Sequence, residues 1–199
     1  MAKDNFFTKN KTLLIVIAII LILIIYFVSA YNRFVTLDQD INGKWSEVEN
    51  QYQRQADLIP NLVSVVSSSV KVETNFINQV TEARSRWQTS KTLFDKDSAG
   101  VQMNNGITAL VNAVATAENY PVLQANKQYV ALTDELTGTQ NRITVARGRY
   151  IESIQKYNTA IKRFPGNILA SLYKFSSKDY YKAELSSLTT PKIGTGQLP

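Results

Sequence analysis

Seven charged side chains bound the chemistry open to this sequence. Arg54, Asp57, Glu73, Arg84, Glu118, Arg142 and Arg147 stand on or beside otherwise apolar helical stripes. Charges so placed can meet between helices as ion pairs that fix register, or they can line a polar pocket. The chain has no histidine and no cysteine. That removes thiolate and imidazole metal sites, Ser-His and Cys-His nucleophiles, and the Glu-x-x-His motif of di-iron bundles. Acid–base chemistry would need a carboxylate pair, Glu73 with Glu118 or with Glu135. Such a pair works only in a cleft that separates the two pKa values, and nothing in the spacing provides one. Residues 95–100, DKDSAG, resemble the start of a calcium loop, but the third oxygen ligand is missing and Gly106 stands where the closing Glu belongs. The expectation is no catalytic residue, no cofactor and no metal; the seven charges are a candidate interhelical polar network.

The elements that must position these charges begin with residues 13–28, LLIVIAIILILIIYFV, a run without charge, Gly or Pro. Carried on to residue 31, it makes roughly 28 Å of helix, close to the hydrocarbon thickness of a bilayer. Tyr26 and Tyr31 lie near one end, where amphipathic rings favour the interface. The competing reading is a cleaved signal peptide, because Val28-Ser29-Ala30 offers small residues before Tyr31. The run is longer than an ordinary signal core and its helical pattern continues past that point, so a retained anchor is expected. Lys3, Lys9 and Lys11 precede it and Arg33 and Lys44 follow, which favours a cytoplasmic N-terminus with the rest of the chain outside.

Beyond the anchor the chain reads as helices alone, with no strand pattern and no repeat. Val35, Ile41, Trp45, Val48 and Tyr52 recur at helical spacing, and Pro60 is expected to bend or reset the chain. Leu62, Val66, Val70, Ile77, Val80 and Trp87 form a second stripe that also carries Glu73 and Arg84. Residues 91–106, rich in Asp, Asn, Ser and Gly, predict a surface loop. Residues 107–119 predict a short helix. Residues 126–164 predict a long one, its seam running from Tyr129 through Ile143 and Tyr150 to Phe164, with Gln140 filling one gap and Gly138 and Gly148 offering close helix approach. Residues 168–175 predict a last short helix. The organisation is a basic tail (1–12), a transmembrane helix (13–31), an elongated antiparallel bundle of four-helix type (32–175) and a frayed tail (176–199).

Five blocks of sequence carry a resemblance. They are RQADLIPNL at residues 54–62, VTEAR at 80–84, ENYPVLQAN at 118–126, NRITVARGRY at 141–150 and YNTAIKRFPGN at 157–167. Their order, with Trp45 in place ahead of them, resembles the LemA family over nearly all of the chain after the anchor. The resemblance implies an N-terminally anchored bacterial membrane protein with a long four-helix-type bundle, and it implies no established activity. Three positions depart from the family pattern: Gln55 where a second Arg is common, Gln140 where Glu is common, and Ile151 where Asn is common.

The formal charge is +6, with 22 Lys and Arg against 16 Asp and Glu, scattered without a nucleic-acid-binding signature. No nucleic-acid partner is expected. The leading expectation is a non-enzymatic membrane-anchored scaffold or adaptor in the bacterial inner membrane, with the bilayer, further copies of itself and a membrane protein as partners. The alternative is a tethered sensor that binds a ligand in a polar pocket within the bundle.

Overall fold

The computed structural model describes residues 11–69, 74–116, 123 and 125–180. The protein is all-α. The described residues form α1 (Lys11–Ser69), α2 (Thr74–Thr89), α3 (Leu93–Thr116), α4 (Lys127–Lys162) and α5 (Gly166–Leu172), and among them there is no strand. The chain divides into two compact units, one of residues 42–150 and one of the flanking segments up to Ile41 and from Ile151.

In the unit of residues 42–150, partner pairs give the helix directions. Arg86 of α2 reaches Gln102 of α3, and Val80 lies against Gly106, so α2 and α3 run antiparallel. Trp45 packs on Tyr150 with ring centroids 5.4 Å apart while Arg54 reaches Glu135, so α1 and α4 are antiparallel as well. Lys96 pairs with Glu49, and Gln55 with Asn104, which sets α3 parallel to α1. The result is an up-down-up-down four-helix bundle. Its core holds Val48, Tyr52, Ile59 and Leu62 of α1, Val80 and Trp87 of α2, Met103, Ile107 and Leu110 of α3, and Leu136 and Ile143 of α4.

Two sequence expectations fail here for local reasons. Residues 93–106 are helix, not loop. Thr92 and Asp95 form a reciprocal cap: the Thr92 Oγ1 accepts from the Asp95 amide at 3.1 Å, and its hydroxyl donates to the Asp95 carboxylate at 2.7 Å. Ala99, Met103, Ile107, Leu110 and Val114 then supply a helical stripe that the turn-forming residues around them obscured. The second is the reset of the chain at Pro60, which lies inside α1 without ending it. Two smaller corrections follow in α4. Thr139, fully buried, fills the seam where Gln140 was expected, and Gly138 and Gly148 have nothing within 4 Å of an added Cβ.

In the other unit, the apolar run of α1 is long enough to cross a membrane, and none of it is buried against the protein. Phe34 and Ile41 begin the packed part, with Ile154, Tyr157 and Ile161 of α4. The chain after α5 is tied down as far as Tyr180, where fraying was expected from residue 176. Asn158 exchanges two hydrogen bonds with the Lys178 backbone, at 2.7 and 2.9 Å, and the Tyr157 hydroxyl donates to the Ser176 carbonyl at 3.1 Å. Lys178 also pairs with Asp38 at 2.5 Å. Tail residues 181–199 lie outside the described residues.

Glycine replacements separate close packing from helix propensity. An alanine Cβ at position 100 would lie 2.5 Å from the Tyr52 ring. Gly100→Ala should therefore destabilise by about 1–3 kcal/mol despite its better propensity. Gly138→Ala and Gly148→Ala, in open space, should each stabilise by about 0.5–1 kcal/mol. Denaturant unfolding of the three variants checks both signs.

Candidate functional site

The sequence-predicted charges separate into three arrangements in the unit of residues 42–150. The first is built on a missing hydrogen bond. Pro60 has no N–H, so inside a helix it leaves the carbonyl four residues earlier, that of Ala56, without its intrahelical donor. Ala56 is fully buried. Arg84 of α2 donates its Nε–H to that carbonyl at 2.7 Å. A charged donor on an orphaned buried carbonyl explains how an arginine occupies an otherwise apolar stripe.

The second arrangement is buried. The Asp97 side chain is 3% exposed and its Oδ2 lies 3.0 Å from Arg147, itself only 22% exposed. The Tyr52 hydroxyl donates to the other carboxylate oxygen at 3.2 Å. One acid thus ties α3 to α4 and to α1. Burial pushes the nearby Tyr150 phenol above its ordinary pKa, and the Asp97 carboxylate pushes it the same way. Burial also raises Tyr129.

The third is at the surface. Arg54 reaches Glu135 at 2.5 Å and Arg142 reaches the same carboxylate at 3.8 Å, all with substantially exposed side chains. Asp57 is exposed and accepts from Gln53 on its own helix at 2.7 Å. Glu73 and Glu118 lie outside the described residues. The departures at Gln55 and Gln140 are both bridging residues, to Asn104 and to Thr108. An open groove of about 540 Å³ runs beside the third arrangement, lined by Glu47, Asn50, Gln51, Arg142 and Arg149 among others.

Four of the residues that complete these arrangements, Tyr52, Ala56, Asp97 and Glu135, were not among the seven charges read from the sequence. The Thr92-x-x-Asp95 cap was the available signal for Asp97, because it turns residues 93–106 from a loop into a helix with an inward face. Ala56 had a signal too: it stands four residues before a proline.

Three outcomes test these roles. Arg84→Ala should cost about 1–3 kcal/mol by leaving the Ala56 carbonyl unsatisfied. In a Pro60→Ala background, where an amide is restored, the same replacement should cost measurably less; a double-mutant cycle reads the coupling. Arg147→Ala, which strands a buried carboxylate, should cost about 3–5 kcal/mol, whereas Arg54→Ala should cost no more than about 1 kcal/mol. Tyr129 and Tyr150 have folded pKa values raised from 10.0, so their contribution is present below pH 10 and is lost as pH climbs through the raised values. Melting temperature should fall on the alkaline side, and Tyr150→Phe should flatten that fall.

The sequence profile of the LemA family matches residues 44–194. Magnetosome proteins MamQ 1 and MamQ 2 of Paramagnetospirillum magneticum are each 25% identical, over 85% of this chain and 72% of theirs. Magnetosome protein MamQ of Magnetospirillum gryphiswaldense matches with the same identity and coverage. With its long exposed apolar helix, the chain is a membrane-associated protein, and it belongs to the LemA family.

Proposed function

We propose that this protein is a single-pass, membrane-anchored scaffold or adaptor without enzymatic activity, which self-associates and presents its bundle to protein partners at the bacterial cell membrane. The observation that carries the reading is how its polar residues are used. Arg84 is committed to a carbonyl of α1, Arg147 to Asp97, and Arg54 with Arg142 to Glu135. These bonds hold helices in register instead of converging on a reacting atom. The apolar run of α1 supplies both an anchor and a surface for lateral packing. The relatives' names attach them to a structure, the magnetosome, and not to a reaction. The basic residues around residues 3–11 favour a cytoplasmic N-terminus with the bundle outside.

A second reading keeps the open groove as a ligand site. Gln51, one of its lining residues, has a buried Oε1 with no hydrogen-bond partner, and Arg142 and Arg149 add two cations. That reading requires an anionic ligand that raises the melting temperature and no longer does so in Arg142→Ala.

The scaffold is tested by mass and shape in mild detergent. Full-length protein should form a discrete assembly, and a chain starting at Tyr31 should be monomeric. Monomers in both cases, with no co-purifying membrane protein, would remove the reading's support.

A further inference from the structure

The end of the unit nearest the apolar run carries an unexplained surface. α5 buries Leu169 and Ala170 yet exposes Ile168 and Leu172, at 59% and 63%. Just before it Phe164 is 76% exposed, more than any other described large apolar side chain. Three bulky apolar side chains within nine residues of a turn and a short helix are unfavourable in water and are ordinary in a bilayer interface.

Their level relative to α1 is set by contacts. The ring of Tyr173, next after α5, lies 5.0 Å from that of Tyr31, and Phe175 lies 5.4 Å from Phe34. Phe164 and Arg163 line one cavity of about 580 Å³ with Tyr26, Ala30, Arg33 and Lys156. The apolar run ends at residue 28, and residues 29–34 add about 9 Å of helix rise, comparable with the roughly 5–8 Å of headgroup zone on each side of a bilayer. The exposed apolar cluster therefore stands at headgroup depth when residues 13–28 span the hydrocarbon.

The charged side chains that line this cavity have one sign. No acidic residue lines that cavity, while Arg33, Lys156 and Arg163 do. Lys156 pairs with Glu152 at 2.9 Å, but Arg33 and Arg163 have no carboxylate partner among the described residues. Lys162 and Lys174 flank the apolar cluster and are exposed.

We propose that the turn at Phe164 and α5 form a second membrane contact: Phe164, Ile168 and Leu172 insert into the interface of the leaflet that α1 leaves, and Arg33 and Arg163 bind the headgroups of anionic phospholipids. The protein would then be held at two points on one membrane surface, which fixes the rotation of α1 about its axis as well as its depth. The inference requires residues 13–28 to lie in the bilayer, as in the anchored scaffold, and it adds to that reading a lipid preference.

The cysteine-free chain allows single-cysteine labelling of the full-length protein. An environment-sensitive fluorophore is placed through Phe164→Cys, Ile168→Cys or Leu172→Cys, with Ile22→Cys as the bilayer reference and Ser85→Cys, an exposed residue of α2, as the aqueous one. The labelled proteins are reconstituted in phosphatidylcholine with phosphatidylglycerol, or in phosphatidylcholine alone, and iodide quenching is measured. Labels at 164, 168 and 172 should be quenched about fivefold less than at 85 in the anionic vesicles. Each arginine should contribute about fivefold to that docked population, so Arg33→Ala with Arg163→Ala should restore quenching. Quenching at 164, 168 and 172 equal to that at 85, with Ile22 protected, overturns the second contact and leaves the anchor standing. Exposure at Ile22 as well overturns both. Equal protection in phosphatidylcholine alone overturns the headgroup assignment. Protection that disappears when protein is diluted in the same lipid shows that a second copy covers the cluster, and it also overturns the proposal.

Discussion

The bundle of residues 42–150 depends on one carbonyl. Pro60 removes the amide that would have bonded to Ala56, in the buried middle of α1's packed face, and a helix cannot leave such a group unpaired without a penalty comparable to the stability of a small domain's weaker contacts. Arg84 supplies the donor from α2. This single bond lets α1 continue to Ser69 and carry Leu62 and Val66 into the core, and it docks α2 at a defined height. A bond that pays for a backbone defect is more specific than a hydrophobic contact, because only one register brings the guanidinium to that oxygen.

Asp97 complements it on the other side of the bundle. Apolar seams permit helices to slide by a turn at modest cost, whereas a carboxylate held by Arg147 and Tyr52 does not. Gly100, one turn beyond Asp97, gives the Tyr52 ring room to reach it. The buried pair and the missing side chain are parts of one device: a larger residue at 100 would displace the phenol whose hydroxyl meets the acid. The exposed Arg54–Glu135–Arg142 cluster is in water and contributes little to stability, so its charges are available for recognition in a way that Arg84 and Arg147 are not.

The other unit uses different means. Residues 173–180 have no regular structure but are bound through Asn158, Tyr157 and Asp38, so an irregular strand of chain is held by side chains that satisfy its backbone. Lys178 lies over the Tyr157 ring at 5.6 Å and pairs with Asp38, adding charge to the same attachment. Together with the aromatic contacts of Tyr173 and Phe175, these bonds place α5 beside the point where α1 turns from exposed apolar surface to packed core.

The sequence alone determined the helical class, the apolar segment, the long seam of α4 and the family, because each rests on periodicity or ordered motifs repeated over many residues. It also named Arg84 and Arg147 among seven charges on or beside apolar stripes, without separating them from Arg54 and Arg142, whose side chains are exposed. The tertiary structure decided what Arg84 and Arg147 meet: a carbonyl freed by a proline on another helix, and an acid in a segment whose Asp, Ser, Asn and Gly read locally as a loop. Local propensity there favoured a turn, and the burial of Ala99, Met103, Ile107 and Leu110 in the bundle core overrode it. Gly100 and Gly106 serve close packing, while Gly138 and Gly148 do not, and that distinction exists only once a neighbouring side chain is in place. Composition and spacing record what each residue can do; partners far apart in the chain determine which of those capacities is used.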